Sequence, residues 1–264
     1  MTERRPGVHA YDHDNEKGLL MIRTSSFAAT TAKLIAAGAA VLAAPAQAGT
    51  INFEDLAYYG AIGGTEFVTT GNYGIGFYAN TADGGAGSLV GSIITPGFSD
   101  CTDMACPVNN QTSYYASLND GYADIVNLDP LVRMSVNSFD ASFIGGVAAL
   151  SGYPAVSGLL RIQGILANGA SVTETYQLAG PSAAGFQFAH YETTAAFRAN
   201  LFTEILVFGF VCNATGSSCT AFNSDRGQFA LDNLNVSDVP EPASLALFGL
   251  GLVGLTVATR RRQA

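Results

Sequence analysis

Leu159-Leu160-Arg161-Ile162-Gln163-Gly164-Ile165-Leu166, then Ala167-Asn168-Gly169-Ala170, then Ser171-Val172-Thr173-Glu174-Thr175-Tyr176-Gln177-Leu178 is the stretch that decides the fold. Successive side chains on a strand point to opposite faces, so Leu160, Ile162, Gly164 and Leu166 share one face while Arg161 and Gln163 take the other. Asn168-Gly169 suits the left-handed dihedrals of a two-residue hairpin turn, which joins this run to Ser171–Leu178. Working outward, similar runs rich in β-branched and aromatic residues recur at fairly even intervals. They are Thr50–Leu56, Gly74–Ala79, Ser113–Leu118, Ala123–Leu128, Arg133–Ile144, Glu204–Cys212 and Gln228–Val236, divided by Gly, Asn and Asp. Only Ala183–Phe202 leaves room for a short helix. The pattern predicts an all-β protein, a single sandwich of jelly-roll type.

The segment that carries these strands, residues 49–238, is one domain's worth of chain. From Gly49 to Pro242 it contains four arginines, no lysine and seventeen acidic residues, a net charge of 4 − 17 = −13. Such a surface repels nucleic acid and anionic lipid, which excludes nucleic-acid binding and suits a soluble extracellular protein. Its four cysteines fall into two local pairs, Cys101 with Cys106 and Cys212 with Cys219, each in a polar loop. Four cysteines allow three connectivities, but in an oxidising compartment this spacing reads as two short disulfides that staple loops. Zinc is disfavoured because the two pairs lie far apart and His190, the one histidine after residue 48, is near neither.

Both ends carry addresses. Residues 21–48 read as a secretory signal: Arg23 and Lys33 supply charge, Leu34–Ala44 the apolar stretch, and Ala46-Gln47-Ala48 the small residues that signal peptidase needs before Gly49. Residues 1–20 are polar and mixed in charge, and read as a start assigned too early, with Met21 the initiator. At the other end, 239–264, stand Val239-Pro240-Glu241-Pro242, the uncharged run 243–259, and Arg260-Arg261-Arg262. The prolines keep the tetrapeptide extended. The run is at the short limit for a transmembrane helix, and the arginines form a basic stop that keeps the C-terminus inside. This order of parts resembles the PEP-CTERM sorting tail of Gram-negative bacteria. The resemblance implies recognition at Pro240, Glu241 and Pro242 by an exosortase-type processing enzyme, transient anchoring in the inner membrane, and release to the envelope, surface or matrix. Gln228-Phe229-Ala230-Leu231-Asp232 is similar to a Gln-Phe-x-x-Asp element near the end of the body of such proteins.

The domain opens with Ile51-Asn52-Phe53-Glu54-Asp55-Leu56 and closes with Phe229–Val236, two acidic strand-like runs. That bracketing resembles carbohydrate-binding and galactose-binding-like jelly rolls. The resemblance implies that first and last strands pair and that Glu54 and Asp232 share a structural calcium ion, with Asp55 less favoured; capping of the last strand's turn is the alternative role for Asp232.

Catalytic patterns are thin. His190 has no Gly-x-Ser-x-Gly elbow to serve and is expected to be a packing residue. Glu54, Glu66, Glu174, Glu192 and Glu204 offer carboxylate pairs for a glycosidase, but no spacing selects one. Gly74-Ile75-Gly76 and Gly84-Gly85-Ala86-Gly87 lack a P-loop lysine and read as turns. Three Asn-x-Ser/Thr patterns, at Asn110, Asn213 and Asn235, fit the acceptor pattern for N-glycosylation and are read as chance matches to it. Tyr58, Tyr59, Tyr73, Tyr78, Tyr114, Tyr115, Tyr122 and Tyr153 stand mostly beside Gly or Asn, as residues that stack on sugars do. Three function classes compete: a non-enzymatic surface or matrix protein that binds exopolysaccharide in a biofilm, a secreted glycan hydrolase, and an ice-binding protein. The last needs a flat threonine array, and Thr69-Thr70 and Thr193-Thr194 are isolated doublets.

Overall fold

The structure is a computed structural model that describes residues 47–79, 87–97, 101, 104–145, 158–180, 182–213, 215–222 and 227–240. Residues 1–46, with Met21 and Ala46, lie outside the described residues, as do Gly84–Ala86, Tyr153, Glu241, Pro242, the run 243–259 and Arg260–Arg262. Among the described residues no helix is long and apolar enough to cross a membrane.

The strands are β1 (Gln47–Ile51), β2 (Gly60–Gly63), β3 (Phe67–Thr70), β4 (Tyr73–Ala79), β5 (Leu89–Ile94), β6 (Tyr114–Ser117), β7 (Gly121–Asn127), β8 (Val132–Phe143), β9 (Leu159–Leu166), β10 (Ser171–Gln177), β11 (Ala189–Glu192), β12 (Phe202–Cys212), β13 (Cys219–Thr220) and β14 (Phe229–Pro240). One short helix, α1 (Ala195–Arg198), is capped by the Thr194 side chain, which accepts from the Phe197 amide. The all-β expectation holds. All pairings among the strands are antiparallel, and the order β2-β5-β6-β14-β8 meets β12-β7-β4-β3 through a single residue pair, Phe202 with Met134. The network folds at that point into two facing half-sheets. Phe77 of β4 meets Tyr115 of β6 across the gap, with ring centroids 4.8 Å apart.

The inner faces enclose the main core, with Phe53, Ile93, Val136, Phe139 and Phe229 from one half and Ile75, Ile125, Ile162 and Ile205 from the other. Leu160 and Ile162 are buried there, on the face that their alternation predicts, and the β9–β10 hairpin turns at Asn168-Gly169 with Gly169 at φ 81°. First and last strands pair: β1 runs beside β14 from Gln47 opposite Asp238 to Ile51 opposite Leu234. The predicted opening strand is shorter than expected. It ends at Ile51; Phe53 turns left-handed (φ 58°), and Glu54–Leu56 form one turn of 3-10 helix. The reason is that Phe53 must drop into the core, where it is fully buried.

The outer face of the β5-β6-β14 region has a second, smaller core of Ile94, Tyr114, Ala116, Leu118, Ile144 and Ala230. Residues Cys101, Met104, Cys106 and Phe188 pack onto it. Tyr114 and Tyr115 point opposite ways as neighbours on a strand must, yet both are buried, because each face of β6 has its own core. Both predicted disulfides are formed, Cys101–Cys106 and Cys212–Cys219.

Candidate functional site

The outer face of the β3-β4-β7-β12-β9-β10 half bears an ordered surface. Register places Tyr78, Tyr122, Phe208 and Arg161 in one row across β4, β7, β12 and β9, with Thr175 of β10 at its end. Strands lie about 4.8 Å apart, so the row spans roughly 19 Å. The next row, one pleat along, reads Phe67, Gly76, Asp124, Leu206, Gln163 and Thr173. Period two puts all of these on the face opposite Ala123, Ile125, Ile205 and Val207, which lie in the core.

The rings form a continuous strip. Tyr78 meets Tyr122 at 5.5 Å, Tyr122 meets Phe222 at 5.8 Å, Phe222 meets Phe208 at 5.1 Å, and Phe208 meets Phe210 at 5.6 Å. The Arg161 guanidinium closes the strip 4.7 Å above the Phe210 ring, and its Nε donates to Thr175 Oγ1 at 3.0 Å. Glycines make the floor. A Cβ on Gly76 would strike the Tyr78 ring and one on Gly74 the ring of Phe67, so both rings lie flat across bare backbone. Phe67 is 55% exposed. The strip owes Phe222 to the Cys212–Cys219 disulfide, which closes the β12–β13 hairpin. Inside that turn Asn213 Oδ1 accepts from the Ser217 amide at 3.0 Å and from Thr215 Oγ1 at 3.1 Å.

Two acids stand in this surface, Asp124 and Glu204. Asp124 is half-buried, its Oδ1 has no hydrogen-bond partner among the described residues, and Glu204 is its diagonal neighbour across β7 and β12. Burial, with a smaller contribution from the Glu204 charge, pushes the Asp124 carboxyl up to about 6. Burial also raises the Tyr122 hydroxyl, helped by the charges of Asp124 and Glu204. The face therefore combines flat rings, one cation, two carboxylates of which Asp124 protonates readily, and the amide and hydroxyls of Gln163, Thr173 and Thr175.

The residues picked from the sequence for calcium are brought together, though by a protein segment. Glu54 accepts from the Ser113 amide at 2.7 Å and from Ser113 Oγ at 3.3 Å. Asp232, fully buried, accepts on Oδ2 from Asn110 Nδ2 at 2.9 Å and Thr112 Oγ1 at 2.8 Å, and on Oδ1 from the Asn233 amide at 2.7 Å. The two carboxylates thus both bind within residues 110–113. No group of three or more His, Cys, Asp or Glu side chains suited to a metal occurs among the described residues. Burial raises the Asp232 carboxyl despite its hydrogen bonds, which act the other way.

His190 departs from the packing role expected of it. It is an exposed residue of β11, with Nδ1 2.7 Å from Asp140 Oδ1, and Asn233 Nδ2 donates to the other Asp140 oxygen at 2.8 Å. Asn233 takes a left-handed φ of 49° where β14 shifts register against β8, which is what turns its side chain toward Asp140. Among the processing residues, Ala48 pairs with Ser237 in β1 and Pro240 ends β14 opposite Val132. Tyr58 and Tyr59 are exposed, and Tyr59 donates to Glu66 Oε2 at 2.9 Å. Tyr73 is buried and donates to Asp238 Oδ1 at 3.0 Å. Sequence reasoning missed Asp124, Phe208, Phe210 and Phe222. Their signal was the unbroken apolar run Ile205–Phe210, which makes both faces of β12 apolar.

The body is nearly all β. Residues 238–262 match the family model of the PEP-CTERM protein-sorting motif, so the chain carries that tail. It is accordingly an exported protein, sorted to the cell envelope and recognised by an exosortase-type processing enzyme. No curated protein sequence matches it. Among solved structures it is similar to a DUF4465 family protein from Bacteroides caccae, at 10% identity and TM-score 0.42, over 74% of this chain and 100% of that one. It is also similar to a family 29 carbohydrate binding module, at 9% identity and TM-score 0.34, over 76% of this chain and 96% of that one. A family 22 carbohydrate binding module of Clostridium thermocellum is similar at 9% identity and TM-score 0.29, over 68% and 92%.

Proposed function

We propose that this is a non-enzymatic surface or matrix protein whose β4-β7-β12-β9 face binds extracellular polysaccharide, in keeping with a place in exopolysaccharide or biofilm. The aromatic strip carries the reading. Tyr78, Tyr122, Phe222 and Phe210 form a connected strip that rests on the buried Phe208, with Arg161 at its end, and successive sugar rings of one chain can stack along it. Hydroxyls of the sugar would find Gln163 and Thr173 in the next row. Free calcium is not required by this arrangement.

The test is retention of the purified protein on insoluble and gel-embedded polysaccharides, with and without calcium, alongside Tyr122→Ala. Stacking of one ring contributes on the order of 1 kcal/mol, so the variant should bind about five- to tenfold more weakly. Equal retention of both proteins would remove the strip as the binding surface.

A secreted hydrolase is favoured by one observation, the neighbouring carboxylates Asp124 and Glu204, one of them held up near 6. Release of reducing sugar, abolished in Glu204→Gln, would establish that reading in place of the first. Ice binding has no comparable support: Thr70 is buried with its hydroxyl toward Asp55, and Thr193 is buried and donates to the Val136 carbonyl.

A further inference from the structure

Gln47 and Pro240 lie at the same end of neighbouring strands, since Gln47 pairs with Asp238 and β14 stops two residues later. Only Glu241 and Pro242 separate that end from the uncharged run 243–259. The signal segment, which ends at Ala48 within β1, and the sorting tail, which begins at Val239 within β14, therefore join the domain at one pole.

The same pole bears two exposed leucines. The β7–β8 turn begins beside it, because Val132 pairs with Pro240, and it presents Leu128 at 48% and Leu131 at 60% exposure. Its backbone is fixed from several sides. The Leu128 amide donates to the Asn72 carbonyl at 2.9 Å and the Leu131 amide to Asp129 Oδ1 at 2.9 Å. The Val132 amide donates to the Asp129 carbonyl at 3.0 Å. A scattered exposed leucine means little, but two on one rigid turn, at the end from which an apolar run departs, are placed against whatever holds that run.

We infer that, while the tail is in the membrane, the Leu128–Leu131 turn rests in the outer surface of the inner membrane and sets the domain upright on it. The occupant is a leaflet of zwitterionic headgroups, since this pole carries charges of both signs, Asp129 and Asp238 against Arg133, and offers an anionic leaflet no basic cluster. This inference rests on the reading of residues 243–259 as a membrane segment, and extends it from the tail to the folded domain.

The full chain in phosphatidylcholine vesicles tests it. All four cysteines after residue 48 are in disulfides, so a nitroxide can be placed selectively at Leu131→Cys or at Leu89→Cys. Leu89 is a similarly exposed control, 45%, at the opposite pole, where Asn119 Nδ2 donates to its carbonyl. The seven residues of β7 separate the poles by roughly 20 Å. The expected result is a label at 131 relaxed preferentially by oxygen and one at 89 relaxed preferentially by a water-soluble nickel chelate. Release of the chain by alkaline carbonate would overturn the membrane reading of the tail and the inference with it. Retention of the chain with water-like relaxation at both positions would overturn the inference alone. Unchanged melting of the labelled chains against the parent guards against a folding defect, and Leu128→Ser should lower the oxygen contribution at 131 without releasing the chain.

Discussion

Replacing Asp124 by asparagine should make the domain more stable at neutral pH and change how its stability depends on pH. The carboxyl is raised from 3.8 to about 6 in the folded protein, chiefly by burial. A group whose acid form is favoured by folding contributes most at low pH, and that contribution is lost as pH rises from about 4 to about 6. Two pKa units correspond to about 3 kcal/mol; with half the group open to solvent, about 1 kcal/mol is the realistic size. In a domain of this length that is roughly 2 to 4 °C in Tm. Thermal melts of parent and Asp124→Asn at pH 4 and pH 7 read it directly: the two should nearly coincide at pH 4 and separate by those few degrees at pH 7, the variant higher. Asp232 is also raised by burial and contributes to the parent's slope, but it is present in both proteins and cancels in the comparison. Parallel pH profiles for the two proteins would refute the reasoning, because they would show that Asp124 ionises in the folded state as freely as in the unfolded chain.

Asp232→Ala strips a buried acceptor from Asn110, Thr112 and the Asn233 amide, and should cost about 3 kcal/mol in chemical denaturation. Millimolar calcium should leave the parent's melting unchanged; a rise that Asp232→Ala abolishes would place an ion between Asp232 and Glu54. Cys212→Ser with Cys219→Ser opens a short loop, at about 2 to 3 kcal/mol, and should also weaken polysaccharide retention, because Phe222 is no longer held against Phe208 and Tyr122. Gly76→Ala should lower binding more than stability, since the new methyl lifts the Tyr78 ring off its floor, as parallel retention and melting assays would show.

The three Asn-x-Ser/Thr patterns each make hydrogen bonds in the fold. Asn110 Oδ1 accepts from the Thr112 amide, Asn213 Oδ1 accepts from the Thr215 hydroxyl, and Asn235 with Ser237 takes both hydrogens of the Asn137 amide. In each, residues two apart share a turn or a strand face, which short polar side chains exploit. Glu54 and Asp232 do converge, as the first and last strands suggested, but they converge on residues 110–113.

What the sequence determined by itself was whatever depends on neighbours along the chain. Alternation fixed the faces of β9, Asn168-Gly169 fixed its turn, the local cysteine pairs fixed the two staples, and the order of parts after Val239 fixed the sorting tail. The tertiary structure alone decided what depends on register between distant strands. Tyr78, Tyr122, Arg161 and Phe208 are ordinary strand residues until four ladders bring them into one row, and a slip of a single residue would turn each of them to the other face.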